Sequence, residues 1–138
     1  GALRVCKQNV RRNELNARVT CLSVDAMEPP SSSLWDFDAI VCNPPYIPSG
    51  DIPSLDTSVR DYEPRMALDG GADGLDYYHV IASKWKSALR LGGNLIFEVG
   101  LGQAEAVEDI LEKNGYEDVK IFPDTQGILR VVEGTVNN

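Results

Sequence analysis

The chain has 138 residues, 43% of them hydrophobic and 25% charged, and a formal net charge of −8. One domain with room for a core is the expectation at that length, and the acidic balance argues against a general affinity for phosphate backbones. No apolar run reads as a membrane span or a signal peptide, so a protein outside the membrane is expected.

In chain order, residues 2–16 predict an amphipathic helix, with Ala2, Cys6 and Val10 at i, i+4 and i+8 and basic side chains elsewhere. No capping residue precedes it, so the chain is expected to open in mid-fold. Residues 19–24 read as a strand ending in Asp25. Pro29, Pro30 and the serines 31–33 form a loop before the run Phe37-Asp38-Ala39-Ile40-Val41-Cys42. That run is short and β-branched and is followed by prolines, which predicts a buried parallel strand.

Asn43-Pro44-Pro45-Tyr46 follows directly. Asn43 therefore stands at a strand's carboxyl end, where open α/β sheets place their ligands. Two prolines fix φ and remove two donors, so the corner is stiff and its polar groups are acceptors. Those acceptors are the Asn43 side-chain oxygen and the carbonyls of Asn43 and Pro44, with the Tyr46 ring beside them. A rigid pair of acceptors beside a flat ring suits a planar NH2 group. Such a nitrogen is a weak nucleophile because its lone pair is delocalised. Accepting both of its hydrogens returns electron density to it and aims the lone pair. Asn and Pro are also ordinary turn residues, so a plain strand-ending turn is the competing reading.

From 47 to about 72 the chain carries Pro48, Gly50, Pro53, Pro64 and Gly70-Gly71, which predicts an irregular segment serving as a lid or wall of the site. Residues 73–90 predict a helix with Leu75, Tyr78, Ile81, Ala82, Trp85, Ala88 and Leu89 on one face, stopped by Gly92-Gly93. His79 falls off that face and reads as a solvated surface histidine. Residues 94–99 predict a buried strand. Residues 103–114 predict a helix with Gly115 just past its end, and 119–122 and 128–132 a closing hairpin. Cys6, Cys21 and Cys42 lie within apolar patterns and read as reduced core residues of an intracellular protein. Their spacing with His79 and the acids suggests no metal site. The order of elements is α/β with a mostly parallel sheet and a C-terminal antiparallel hairpin.

These residues resemble the HemK-type family, the release-factor glutamine-N5 methyltransferases that use S-adenosyl-L-methionine. The resemblance rests on Val24-Asp25, Phe37-Asp38, Asn43-Pro44-Pro45-Tyr46-Ile47-Pro48, Tyr62-Glu63-Pro64-Arg65 and the run Ala67-Leu68-Asp69-Gly70-Gly71 to Asp73-Gly74-Leu75. It continues in Leu91-Gly92-Gly93, Glu98-Val99-Gly100 with Gly102-Gln103, and Asp124, Gly127 and Arg130. It implies an incomplete Rossmann-like class I methyltransferase fold, with residues 1–138 a part of the catalytic domain. The family's N-terminal helical domain, glycine-rich cofactor loop and first two strands have no counterpart in this sequence. Two of those strands lie in the family between the segments 19–24 and 37–42.

By the same resemblance, Asn43 and the Pro44 carbonyl hold the substrate amide, Pro45 stiffens the corner, and Tyr46 packs against the amide. Asp25 accepts from the adenine amino group of the cofactor, and Asn43 borders it. Glu98 either lines the site or caps the segment after it. Arg65 and Glu63 staple the long loop, and Arg130 pairs with Asp124. The implied partner is a peptide chain release factor in the cytoplasm, with no role for membrane or nucleic acid. The exposed edge of the 37–42 strand predicts either direct pairing with 19–24 in a collapsed sheet, self-association or disorder. The isolated chain is expected to bind cofactor weakly and to be inactive. Two other readings remain: an amino methyltransferase acting on adenine or guanine of a nucleic acid, and a non-catalytic fragment.

Overall fold

A computed structural model describes residues 1–138. The elements run α1 (Ala2–Arg12), β1 (Phe37–Cys42), the short α2 (Thr57–Arg60), α3 (Asp76–Lys84), β2 (Leu89–Glu98), α4 (Ala104–Lys113), β3 (Glu117–Pro123) and β4 (Leu129–Thr135). Short 3-10 segments lie at Ser49–Ser54, Arg65–Ala67 and Lys86–Ala88. No helix is long and apolar enough to cross a membrane.

One sheet of four strands has the order β1-β2-β4-β3. β1 runs parallel to β2, while β4 is antiparallel to both β2 and β3. The architecture is α/β with the expected closing hairpin, but the expected mostly parallel sheet is corrected to a mixed one. The physical reason is the segment 19–24. It forms no ladder with β1 and runs as irregular backbone, with Val19, Leu22 and Val24 40 to 55% exposed. An apolar β-branched run is held as a strand only while it keeps a ladder partner, and residues 19–24 leave the outer edge of β1 unpaired. Direct pairing of 19–24 with β1 is therefore not the arrangement adopted.

The core lies between α3, α4 and the sheet. Every residue of the main hydrophobic cluster falls between Tyr78 and Val136. Tyr78 meets Phe97 edge to face, with ring centroids 5.0 Å apart and planes at 88°, a geometry that adds about 0.5–1.5 kcal/mol to simple burial. α4 buries Ala104, Val107, Ile110 and Leu111. It closes in a Schellman turn at Gly115, whose φ is +84°. There the Gly115 N–H donates to Glu112 O at 3.0 Å and the Tyr116 N–H to Leu111 O at 3.1 Å.

α3 stops at Lys84, short of the predicted residue 90, and Gly92-Gly93 do not end it. They form a bulge inside β2, where the ladder jumps from Phe37↔Leu89 to Ala39↔Asn94. Gly92 holds φ +80°, and a Cβ on Gly93 would sit 2.9 to 3.2 Å from the Arg90, Phe37 and Asp38 carbonyls. Glycine is needed here so that β1 can lie against β2.

The cysteines depart from expectation as well. Cys6 is exposed, Cys21 is half-buried away from the main cluster and Cys42 is half-buried at its margin, so none belongs to the core. α1 buries only Val10 and makes no extensive contact with any other helix or strand. Its amphipathic stripe has no sheet beneath it to cover.

Candidate active site

β1 and β2 end side by side, one residue beyond the Cys42–Phe97 pair, and so present Asn43 and Glu98 together at the sheet's carboxyl end. Asn43 is exposed, Pro44 buried and Tyr46 half-buried. The Asn43 side chain and the carbonyls of Asn43 and Pro44 accept no hydrogen bond within the protein. The corner thus keeps three acceptors open toward its surroundings.

The corner is held from behind. The Gln103 Nε2 donates to Tyr46 O at 2.8 Å, while its Oε1 accepts the Gly100 N–H at 2.9 Å. One side chain therefore ties the turn after β2 to the corner after β1. Three glycines make the approach possible. A Cβ on Gly70 would lie 2.8 Å from Tyr46 Cα, one on Gly74 2.4 Å from Tyr46 O, and one on Gly100 2.6 Å from the Tyr46 ring. Below them, the Tyr78 hydroxyl donates to Glu98 O at 2.8 Å. Burial, then the neighbouring Tyr46, Cys42 and Glu98, push the Tyr78 hydroxyl well above the ordinary phenol range, so it is a fixed neutral donor. Burial likewise pushes the Cys42 thiol up, which keeps it protonated beneath Asn43.

The segment 47–72 closes one wall. It is turns and short helices, but ordered ones. Ile47 bridges Asp69, the Ile47 N–H donates to Leu68 O at 3.0 Å, and the Gly70 N–H returns to Ile47 O at 2.8 Å. Asp69 accepts from Ser49 Oγ at 2.5 Å and from the Gly71 N–H at 3.0 Å, and it pairs with Arg65 at 3.3 Å. The Ser49 bond first, then the Gly71 bond, hold the Asp69 carboxyl below the usual carboxylate range. Arg65 staples the loop as expected. Glu63, expected to share that role, makes no side-chain hydrogen bond or ion pair and is corrected to a solvated residue. A depression of about 290 Å³ opens beside the ring, lined by Tyr46, Pro48, Asp51, Asp73, Gly100 and Gln103 among others.

Asp25 lies apart. Its Oδ1 accepts the Met27 N–H at 2.9 Å, while Oδ2 makes no hydrogen bond. The following turn is pinned to the far end of α3, where Trp85 Nε1 donates to Ala26 O at 2.9 Å and Lys84 Nζ to Met27 O at 2.9 Å. That anchor is roughly 10 Å along the helix axis from Tyr78, at 1.5 Å per residue. Glu98 caps nothing, because the Gly100 N–H it could have taken goes to Gln103. His79 is exposed, as expected. Arg130 reaches Asp124 at 3.9 Å and braces the closing hairpin.

Gln103 is the residue that sequence reasoning passed over. Its signal was a Gly-x-Gly-Gln turn directly after a buried strand, a close-packed corner that needs a polar tie.

No family model matches the chain. The release factor glutamine methyltransferase of Geobacter sulfurreducens is 43% identical over 136 residues, which are 99% of this chain and 46% of that protein. The release factor glutamine methyltransferase of Clostridium acetobutylicum is 41% identical over 131 residues, 95% of this chain and 46% of that one. The chain spans about half the length of the curated relatives it matches. Among solved structures, a methyltransferase from Pyrococcus furiosus superposes with a TM-score of 0.61 at 14% identity, covering 99% of this chain and 58% of its own. The fold is thus that of part of a Rossmann-like, class I methyltransferase.

Proposed function

We propose, for a chain that is a homologue of the release factor glutamine methyltransferases along 99% of its own length, that residues 1–138 are part of a catalytic domain methylating a glutamine side-chain amide. The observation that carries this reading is the open acceptor set of Asn43 and Pro44 beside the Tyr46 ring. Asn43 Oδ1 and the Pro44 carbonyl each take one N–H of the amide, and Tyr46 packs on its flat face. S-adenosyl-L-methionine would be held in part by Asp25, whose Oδ2 is free to accept from an adenine amino group. Bound there, that cofactor supplies a methyl group on a sulfonium. This chain's own part would be to hold the amide by Asn43 Oδ1 and the Pro44 carbonyl with its nitrogen facing that methyl group, and to let the surplus proton of the amide pass to water. No general base is required, which fits a corner without His or Lys. The work of the protein is alignment.

The substrate is a peptide chain release factor, met in the cytoplasm through its glutamine-bearing loop. The test is transfer of labelled methyl from S-adenosyl-L-methionine, with the chain carried in a protein of its relatives' full length. Release factor should be labelled, DNA and RNA should not, and Asn43→Ala should lower the rate by about 100-fold or more. Labelling of nucleic acid alone would favour the amino methyltransferase reading. Full activity of Asn43→Ala would leave the corner a mere turn. For the isolated chain, calorimetric titration should detect weak cofactor binding at most.

A second reading concerns assembly. β1 has one free edge, with Val41 76% and Phe37 40% exposed, which favours pairing with a second copy of this chain. Light scattering across a concentration series should give a dimer mass, and Val41→Lys a monomer.

A further inference from the structure

The Sγ atoms of Cys6, on α1, and Cys21, in the irregular segment after it, lie 3.2 Å apart. Both thiols are reachable, since Cys6 is exposed and Cys21 is half-buried. A disulfide needs the two sulfurs at about 2.05 Å, so a movement of about 1 Å at one side chain closes the bond. The backbone around them is lightly held: α1 makes no extensive contact with other elements, and Val5, Val19 and Leu22 are 40 to 55% exposed. Cys42 is a bystander, packed at the margin of the core.

We infer that Cys6 and Cys21 form a reversible redox pair, oxidised by a small disulfide such as oxidised glutathione. The Cys6 thiolate, the more exposed, attacks one sulfur of the reagent and expels one glutathione thiolate, leaving a mixed disulfide on Cys6. Cys21 then gives up its proton to solvent and attacks the Cys6 sulfur, and the second glutathione thiolate leaves. Two thiols are oxidised and one external disulfide is reduced, so the exchange balances. The Cys21 thiol is held above its ordinary range, chiefly by its hydrogen bond with Cys6, so Cys6 is the one to meet the reagent first. The bond ties α1 to the segment that leads, four residues on, to Asp25.

The experiment uses the 138-residue chain in mixtures of oxidised and reduced glutathione, read by thiol titration, intact mass and a non-reducing peptide map. The three thiols should fall to one, with loss of two hydrogens and one Cys6–Cys21 linked peptide. Cys42→Ser should close the same bond, whereas Cys21→Ser should accumulate a glutathione adduct on Cys6. In denaturant, about tenfold more oxidant should be needed to close the bond, because the folded chain supplies the proximity. The inference is overturned by a stable glutathione adduct on the unaltered chain, by a bond to Cys42, by survival of all three thiols, or by equally easy closure in denaturant.

Discussion

Residues 1–36 and residues 76–136 are written in the same hydrophobic alphabet, yet only the second stretch builds a core. α1 and α4 have similar length and each carries an apolar stripe, but α1 buries one residue and α4 four. The difference lies in the neighbour. α4 lies against β3 and β4, whereas α1 has no strand under it. An amphipathic stripe declares that a helix can be covered, and the tertiary partner alone decides whether it is.

The largest test of that contrast is Phe97→Ala set against Leu22→Ser. Phe97 is fully buried and Leu22 is 55% exposed. Urea unfolding should show a loss of about 3–5 kcal/mol for the first and a change within about 0.5 kcal/mol for the second. Comparable losses would mean that residues 1–36 share in the core after all.

Next in size is Gly100→Ala, which drives a Cβ to within 2.6 Å of both the Tyr46 ring and Gln103 Oε1. It should cost about 1–3 kcal/mol by overpacking and displace the corner. A crystal structure showing Tyr46 unmoved would refute this. Gln103→Ala removes both tying hydrogen bonds and should cost about 1–2 kcal/mol by thermal denaturation. Gln103→Glu sharpens the point: it keeps an acceptor for the Gly100 N–H and loses the donor to Tyr46 O. Amide exchange at Gly100 should therefore stay slow in Gln103→Glu and quicken in Gln103→Ala.

The smallest effect expected is one of pH. Asp69 has its carboxyl held below the usual value, first by Ser49 and then by the Gly71 N–H. Its contribution is full above the unfolded pKa of about 3.9 and is lost as pH falls through the lower folded value. Exchange at Ile47 and Ser49 should quicken below about pH 4, ahead of α4, and Asp69→Asn should abolish that dependence.

Much of this was legible in the chain itself. Helix periodicity marked α3 and α4, Gly115 marked where α4 ends, and the Asn43-Pro44-Pro45-Tyr46 corner was visible because prolines impose their geometry wherever they stand. These are local matters, settled by backbone sterics and spacing within one turn or strand. The rest depended on contacts between distant residues. Residues 19–24 have the composition of a strand and pair with no edge, although the outer edge of β1 is free. Gly92-Gly93 look like a helix stop and serve as a bulge, because β1 crowds them. Gln103 matters only because the fold carries Tyr46, 57 residues earlier, to within hydrogen-bond reach. Sequence determined which pieces could form. The tertiary structure decided which of them found a partner, because burial and hydrogen bonding reward a segment only when a second one is there to meet it.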